Sequence, residues 1–180
     1  YCVITATHDG YVKRLPSDTY SSQRRGGKGI TAMSTKEEDF VEDVIISHSH
    51  DFLLFFSDKG KIYFKKCYEV PEASRTAKGT NLVNVIELSP DEKITAYISV
   101  EEFAESEYLA MITKKGVIKR TLLTEYKNAR RSGLIAINLD EGDELLYVLK
   151  TDGEHNLTVA THNGQAVHFA EEKARTIGRT

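Results

Sequence analysis

Phe52-Leu53-Leu54-Phe55-Phe56-Ser57-Asp58-Lys59-Gly60-Lys61-Ile62-Tyr63-Phe64 reads as two β-prone apolar runs joined by a four-residue turn. A glycine closing such a turn supplies the positive φ that a tight hairpin needs. The same signature returns as Thr7-His8-Asp9-Gly10, Thr113-Lys114-Lys115-Gly116 and Thr161-His162-Asn163-Gly164, with the glycines 50, 56 and 48 residues apart. Apolar runs flank each copy: Cys2-Val3-Ile4 and Tyr11-Val12, Tyr108 to Ile112 and Val117-Ile118, and Leu157-Thr158-Val159 before the last. The chain is therefore a repeat of about 50 residues, and each hairpin is the start of one unit.

Each unit continues in the same way. A basic loop ends in glycine 19 residues after Gly10 and Gly60 and 17 after Gly116, at Gly29, Gly79 and Gly133. A third apolar run follows (Leu82 to Ile86; Leu134 to Ile137), then an acidic turn (Glu37-Glu38-Asp39; Asp91-Glu92; Asp140-Glu141-Gly142-Asp143) and a fourth run (Val44 to Ile46; Ile94 to Ile98; Leu145 to Val148). About four strands per repeat, radially arranged, predict an all-β, propeller-like fold in which units bury their faces against neighbours. The repeats run over about 2–50, 51–106, 107–154 and an incomplete 155–180, roughly three and a half blades in one domain spanning 1–180. The next basic loop would close at position 183, and the chain opens on Tyr1 rather than Met, as a segment of a longer protein would. Helical signal is confined to 36–44 and 122–130, where strand or loop is the stronger reading.

Composition narrows the function. With 180 residues, two isolated cysteines and no apolar run near the ~18 residues of a membrane span, the chain predicts a cytoplasmic domain with no disulfide framework and no membrane partner. The net charge of −3 conceals a segregation: 21 of the 24 Lys and Arg, against 6 of the 27 Asp and Glu, fall in windows 11–29, 59–79, 114–133 and 164–180. Local fields of this kind, rather than net charge, decide what binds where. The densest cluster is Gln23-Arg24-Arg25-Gly26-Gly27-Lys28-Gly29, three cations and three glycines on one loop, suited to clamping phosphate. It is not a Walker loop, because Ser22 stands where the first glycine belongs and Gly29 follows the lysine.

That heptapeptide, in the first of several 50-residue β repeats, resembles the gyrase A box of a known family, the C-terminal domains of the A chain of bacterial DNA gyrase. The resemblance extends to Gly10-Tyr11-Val12-Lys13-Arg14, Lys36-Glu37-Glu38-Asp39-Phe40, Val117-Ile118-Lys119-Arg120 and Asp143-Glu144-Leu145. It implies a partial six-bladed β-pinwheel that binds duplex DNA without sequence specificity and wraps it, so that gyrase introduces negative supercoils. It further implies an A2B2 holoenzyme whose B chain hydrolyses ATP with Mg, no cofactor and no catalytic residue in this segment, and a nucleoid-associated location. The implied DNA path starts at Gln23, Arg24, Arg25, Gly26, Gly27, Lys28 and Gly29. It continues over Lys13, Arg14, Lys65, Lys66, Arg75, Lys78, Lys119, Arg120, Lys127, Arg130 and Arg131.

Two other readings compete. The A chain of the related topoisomerase IV carries a similar domain with a degraded or missing box, whereas all seven positions are intact here. Kelch propellers share the period and bind proteins, but lean on tandem glycines and a tryptophan; this chain has one Gly-Gly and no Trp. His48 and His50 alternate as one strand face would require, yet no third ligand at zinc-like spacing accompanies them, which favours surface histidines. Tyr20, Tyr68 and Tyr126, each ahead of a basic loop, are expected as packing anchors.

Overall fold

The computed structural model describes residues 1–16, 39–128, 133–152, 156–160 and 166–170, so the box at 23–29 lies outside the described residues. In chain order the strands are β1 (Cys2–Thr7), β2 (Tyr11–Pro16), β3 (Val41–Ser47), β4 (Phe52–Ser57), β5 (Lys61–Lys66), β6 (Thr80–Asn81), β7 (Ile94–Val100), β8 (Tyr108–Thr113), β9 (Ile118–Leu122), β10 (Leu134–Ile135), β11 (Leu145–Thr151), β12 (Asn156–Ala160) and β13 (Ala166–Ala170). Short 3-10 turns are the sole helical elements among the described residues, and the fold is all-β as expected.

The turn signature has a structural cause. Gly10, Gly60 and Gly116 hold φ of 88°, 80° and 89°. Each donates its N–H to the carbonyl three residues earlier, at Thr7, Ser57 and Thr113 (3.0–3.1 Å). The hydroxyls of those same three residues accept the N–H of Tyr11, Lys61 and Val117. A hydroxyl at the first position and a glycine at the fourth thus close the hairpin from both sides. The fourth such turn, at Gly164, is outside the described residues.

Blades do not coincide with repeats. The sheets run β3-β1-β2-β6, β10-β5-β4-β7 and β11-β8-β9, with β12 paired to β13. The first two blades take three strands from their own repeat and the fourth from the next: β6 pairs with β2 (Tyr11↔Asn81), and β10 with β5 (Leu134↔Ile62). The third apolar run of the second repeat is correspondingly not a strand, whereas that of the third repeat opens with β10. After β6, Leu82–Asn84 forms a 3-10 turn whose entry Asn81 side chain accepts the Val83 N–H. Leu82, Val85 and Ile86 are buried while Val83 is exposed, a spacing of three and four rather than two.

Successive packing of β3, β7 and β11 places these strands on the inner side of the array. The hairpin strands β2, β5 and the borrowed β6 and β10 then form its outer side. β4 explains its continuous apolar sequence by facing two cores at once. Leu53 and Phe55 join Cys2, Ile4, Val12 and Ile86 in one core, and Leu54 and Phe56 join Leu109, Met111, Tyr126 and Leu145 in the other. Burying each of these side chains stabilises the stack by about 1.5–3 kcal/mol.

The acidic turns are structural. Asp39 Oδ1 accepts the N–H of Asp9 and Phe40, and Asp143 Oδ1 accepts that of Lys115 and Glu144. Burial works to raise both carboxyls, but the hydroxyls of Thr7 and Thr113 and these backbone donors outweigh it, holding both below the usual carboxylate range. A carboxyl lowered on folding contributes its stability above its unfolded value of about 4 and loses it as pH falls through the folded value. Asp39→Asn combined with Asp143→Asn is therefore expected to flatten the acid limb of stability. Urea midpoints measured between about pH 5 and pH 2.5 check this; parallel curves for the two proteins would refute it.

Candidate nucleic-acid interface

Three outer hairpin strands carry a basic pair: Lys13-Arg14 on β2 and Lys119-Arg120 on β9, each three and four residues past the turn glycine, and Lys65-Lys66 on β5, two residues further along than the other two. Neighbours on a strand point to opposite faces, so each pair divides its roles. Lys13 is fully buried, and its Nζ donates to the carbonyl oxygens of Ser74 (2.9 Å), Arg75 (2.8 Å) and Ala77 (2.9 Å). Burial pushes this ammonium down to about 8. Lys119, three residues after Gly116 as Lys13 is after Gly10, is also buried at 3% exposure.

Of the residues expected on the DNA path, Lys13 and Lys119 are buried, so neither side chain is open to solvent in this structure. Arg14 is largely committed as well. Its Nε donates to the Val70 carbonyl (3.0 Å), and its guanidinium pairs with Glu72 at 3.2 Å. Backbone bonds from Arg14 to Pro71 and from Ala73 to Arg14 fasten the same segment.

The remaining described cations stand differently. Arg75 and Lys127 are exposed. Lys66 donates to the His50 carbonyl and lies 3.7 Å over the Phe52 ring. Lys78 lies 4.2 Å over Tyr11, and Arg120 lies 4.5 Å over Tyr108. Lys65 is half-buried, 3.8 Å from Glu69. An aromatic seat holds a cation in one place while leaving another side of the charge to solvent, which reduces the entropy lost on meeting a ligand. Arg130 and Arg131, like Gln23 to Gly29, lie outside the described residues.

Sequence reading did not single out Tyr11, Phe52 and Tyr108 as seats for these cations. The signal was present for Phe52, since a hairpin turning at Gly60 sets it opposite Lys66. Of the tyrosines expected as anchors, Tyr126 is fully buried with its hydroxyl donating to Ala136 (3.1 Å). Tyr68 is 49% exposed and meets only the edge of His50 among described rings, so it is not an anchor. Tyr20 lies outside the described residues. No cluster of three metal-ligating side chains occurs among the described residues, and no described helix is long and apolar enough to cross a membrane.

Comparison with known proteins gives consistent matches. The family described as DNA gyrase C-terminal domain, beta-propeller, matches residues 3–48, 51–101, 107–152 and 155–180. The A chain of DNA gyrase from Clostridium acetobutylicum is 54% identical over 98% of this chain, and that from Halalkalibacterium halodurans is 51% identical over 99%. The chain spans 21% of the length of each of these relatives. A crystal structure of the C-terminal domain of DNA topoisomerase IV superposes with a TM-score of 0.82 at 30% identity, covering 99% of this chain and 54% of that one. A DNA gyrase A C-terminal domain superposes with a TM-score of 0.77 at 26% identity, covering 99% and 57%.

Proposed function

Because the chain belongs to the family of DNA gyrase C-terminal domains with a β-propeller fold, we propose that it binds duplex DNA along the outer side of its blades and bends it there. The observation that carries this reading is the placement of Arg75, Lys78, Lys66, Arg120 and Lys127, exposed or half-exposed, on outer strands and the loops that follow them. Contacts spread over successive blades would follow a duplex, and several at once are needed to offset the elastic cost of bending. Backbone contacts position DNA without reading its sequence, so specificity should be low.

In the whole enzyme the bent segment would be presented to the cleavage core as a wrap of defined hand. Gyrase could then introduce negative supercoils with ATP hydrolysed on its B chain in an A2B2 assembly. The box at 23–29 would close the wrap. The intact box also favours gyrase over topoisomerase IV, despite the higher structural similarity to the latter. A cytoplasmic, nucleoid-associated location follows from such a substrate.

A salt titration tests the binding. The log of affinity for a duplex should fall linearly with the log of salt concentration, by about 0.9 per phosphate contacted. Arg75→Ala or Lys127→Ala should each lower affinity uniformly across sequences and reduce that slope by about one. Salt-insensitive binding, or slopes unmoved by both substitutions, would overturn the proposed path.

A further inference from the structure

The segment from Ala73 to Gly79 leaves β2 after the Ala73 N–H donates to Arg14, and rejoins it where Thr80 pairs with Val12. Between these points its backbone supplies one described bond of its own, Ala77 N–H to Ser74 (3.1 Å). An excursion of this length with its carbonyls turned inward requires a donor. Lys13 meets that requirement from inside the preceding blade: one ammonium has three protons, and three carbonyls of the loop accept them at 2.8–2.9 Å. A buried ammonium is costly unless its hydrogen bonds are made, and here the geometry makes all three. Two of these carbonyls, of Ser74 and Arg75, flank or belong to the exposed Arg75, and the loop ends in Lys78 seated on Tyr11.

We propose that Lys13 is a positioning residue for the next blade's basic loop, an internal cation around which 74–77 folds so that Arg75 and Lys78 are presented to a polyanion. It touches no ligand itself. This rests on the DNA-binding reading for the identity of the polyanion, although the loop-ordering half of it does not. Separating the position of a charge from its contact also explains why Lys13 is enclosed on β2 while Arg75 in the loop beyond it is exposed.

The test uses Lys13→Met, which keeps the side chain's bulk and removes its donors, in the full-length protein. Hydrogen exchange should show lost protection confined to 73–79, with the β1–β2 hairpin and its thermal midpoint retained. Affinity for a mixed-sequence duplex should fall about threefold to tenfold, and the same substitution should add nothing in an Arg75→Ala, Lys78→Ala background, because it acts through them. Lys13→Arg, which restores donors, should recover protection and affinity in part. Should Lys13→Met fail to fold, Lys13→Gln, with a shorter amide donor, takes its place in the same cycle. Unchanged protection at 73–79, or an equal further loss of affinity in the double-variant background, would overturn the proposal. Lost loop protection in a protein whose parent binds no duplex would keep the positioning role and instead refute the DNA-binding reading.

Discussion

Replacing Arg24, Arg25 and Lys28 together by Ala in the full-length enzyme is expected to abolish negative supercoiling, a loss of at least about a hundredfold, while relaxation persists and duplex affinity falls only several-fold. Counting charges predicts otherwise: any three cations removed from the DNA path should weaken binding alike. The distinction lies in the three glycines, which no other basic loop in the sequence combines with three cations and which suit a close backbone approach to an anion. The control must remove three cations that are open to solvent. Lys119 does not qualify because it is buried, whereas Arg75, Lys78 and Lys127 are exposed or half-exposed. The measurement is supercoiling and relaxation of plasmid by reconstituted enzyme carrying each triple substitution, beside duplex affinity. If both variants lose supercoiling in proportion to affinity, the box is one basic patch among several.

Gly60→Ala should destabilise the domain far more than Gly116→Ala, although both glycines close the same turn at nearly the same φ. A side chain at positive φ costs about 1–2 kcal/mol wherever it occurs. At Gly116 nothing lies within 4 Å of a Cβ, so that strain is the whole effect. At Gly60 the Cβ would stand 2.6 Å from the Ile137 carbonyl oxygen, and the Gly60 carbonyl itself accepts the N–H of Ala136 and Ile137. The clash pushes apart two blades at a backbone seam that cannot rotate away, adding about 1–3 kcal/mol. A domain of this size loses about 2–4 °C per kcal/mol, so midpoints about 4–20 °C lower for Gly60→Ala, against about 2–8 °C for Gly116→Ala, are expected by calorimetry. Equal shifts would show that the turn, not the seam, sets the cost. Gly60→Val should be worse than either, since branching adds bulk at the same oxygen.

The box and the seam belong to different layers of the molecule. The box is a reading from residue type alone, because guanidinium, ammonium and bare backbone in close succession suit a phosphate. The seam at Gly60 is invisible in sequence, because Ile137 reaches it from the following repeat. The same holds for the run Leu82 to Ile86, whose apolar residues suit a strand by composition. Once Thr80 and Asn81 had completed the preceding blade's sheet, a side chain cap at Asn81 could turn the chain into a 3-10 bend instead.

What the sequence determined by itself is local and periodic: hairpins where Thr or Ser precedes Gly by three, a repeat of about 50 residues, an all-β fold, and cations gathered beside each repeat's second strand. Those properties depend on backbone φ, hydroxyl reach and alternation, all set within a few residues. What only the tertiary structure decided is which of those cations remain available. Lys13 and Arg14 are adjacent and equally basic, yet Lys13 is enclosed by carbonyls 61 to 64 residues away, and Arg14 is tied to Val70 and Glu72. Alternation along β2 says that the two side chains part company but not which face the next blade will cover, because that face is closed by strand exchange between repeats, a contact no local pattern encodes.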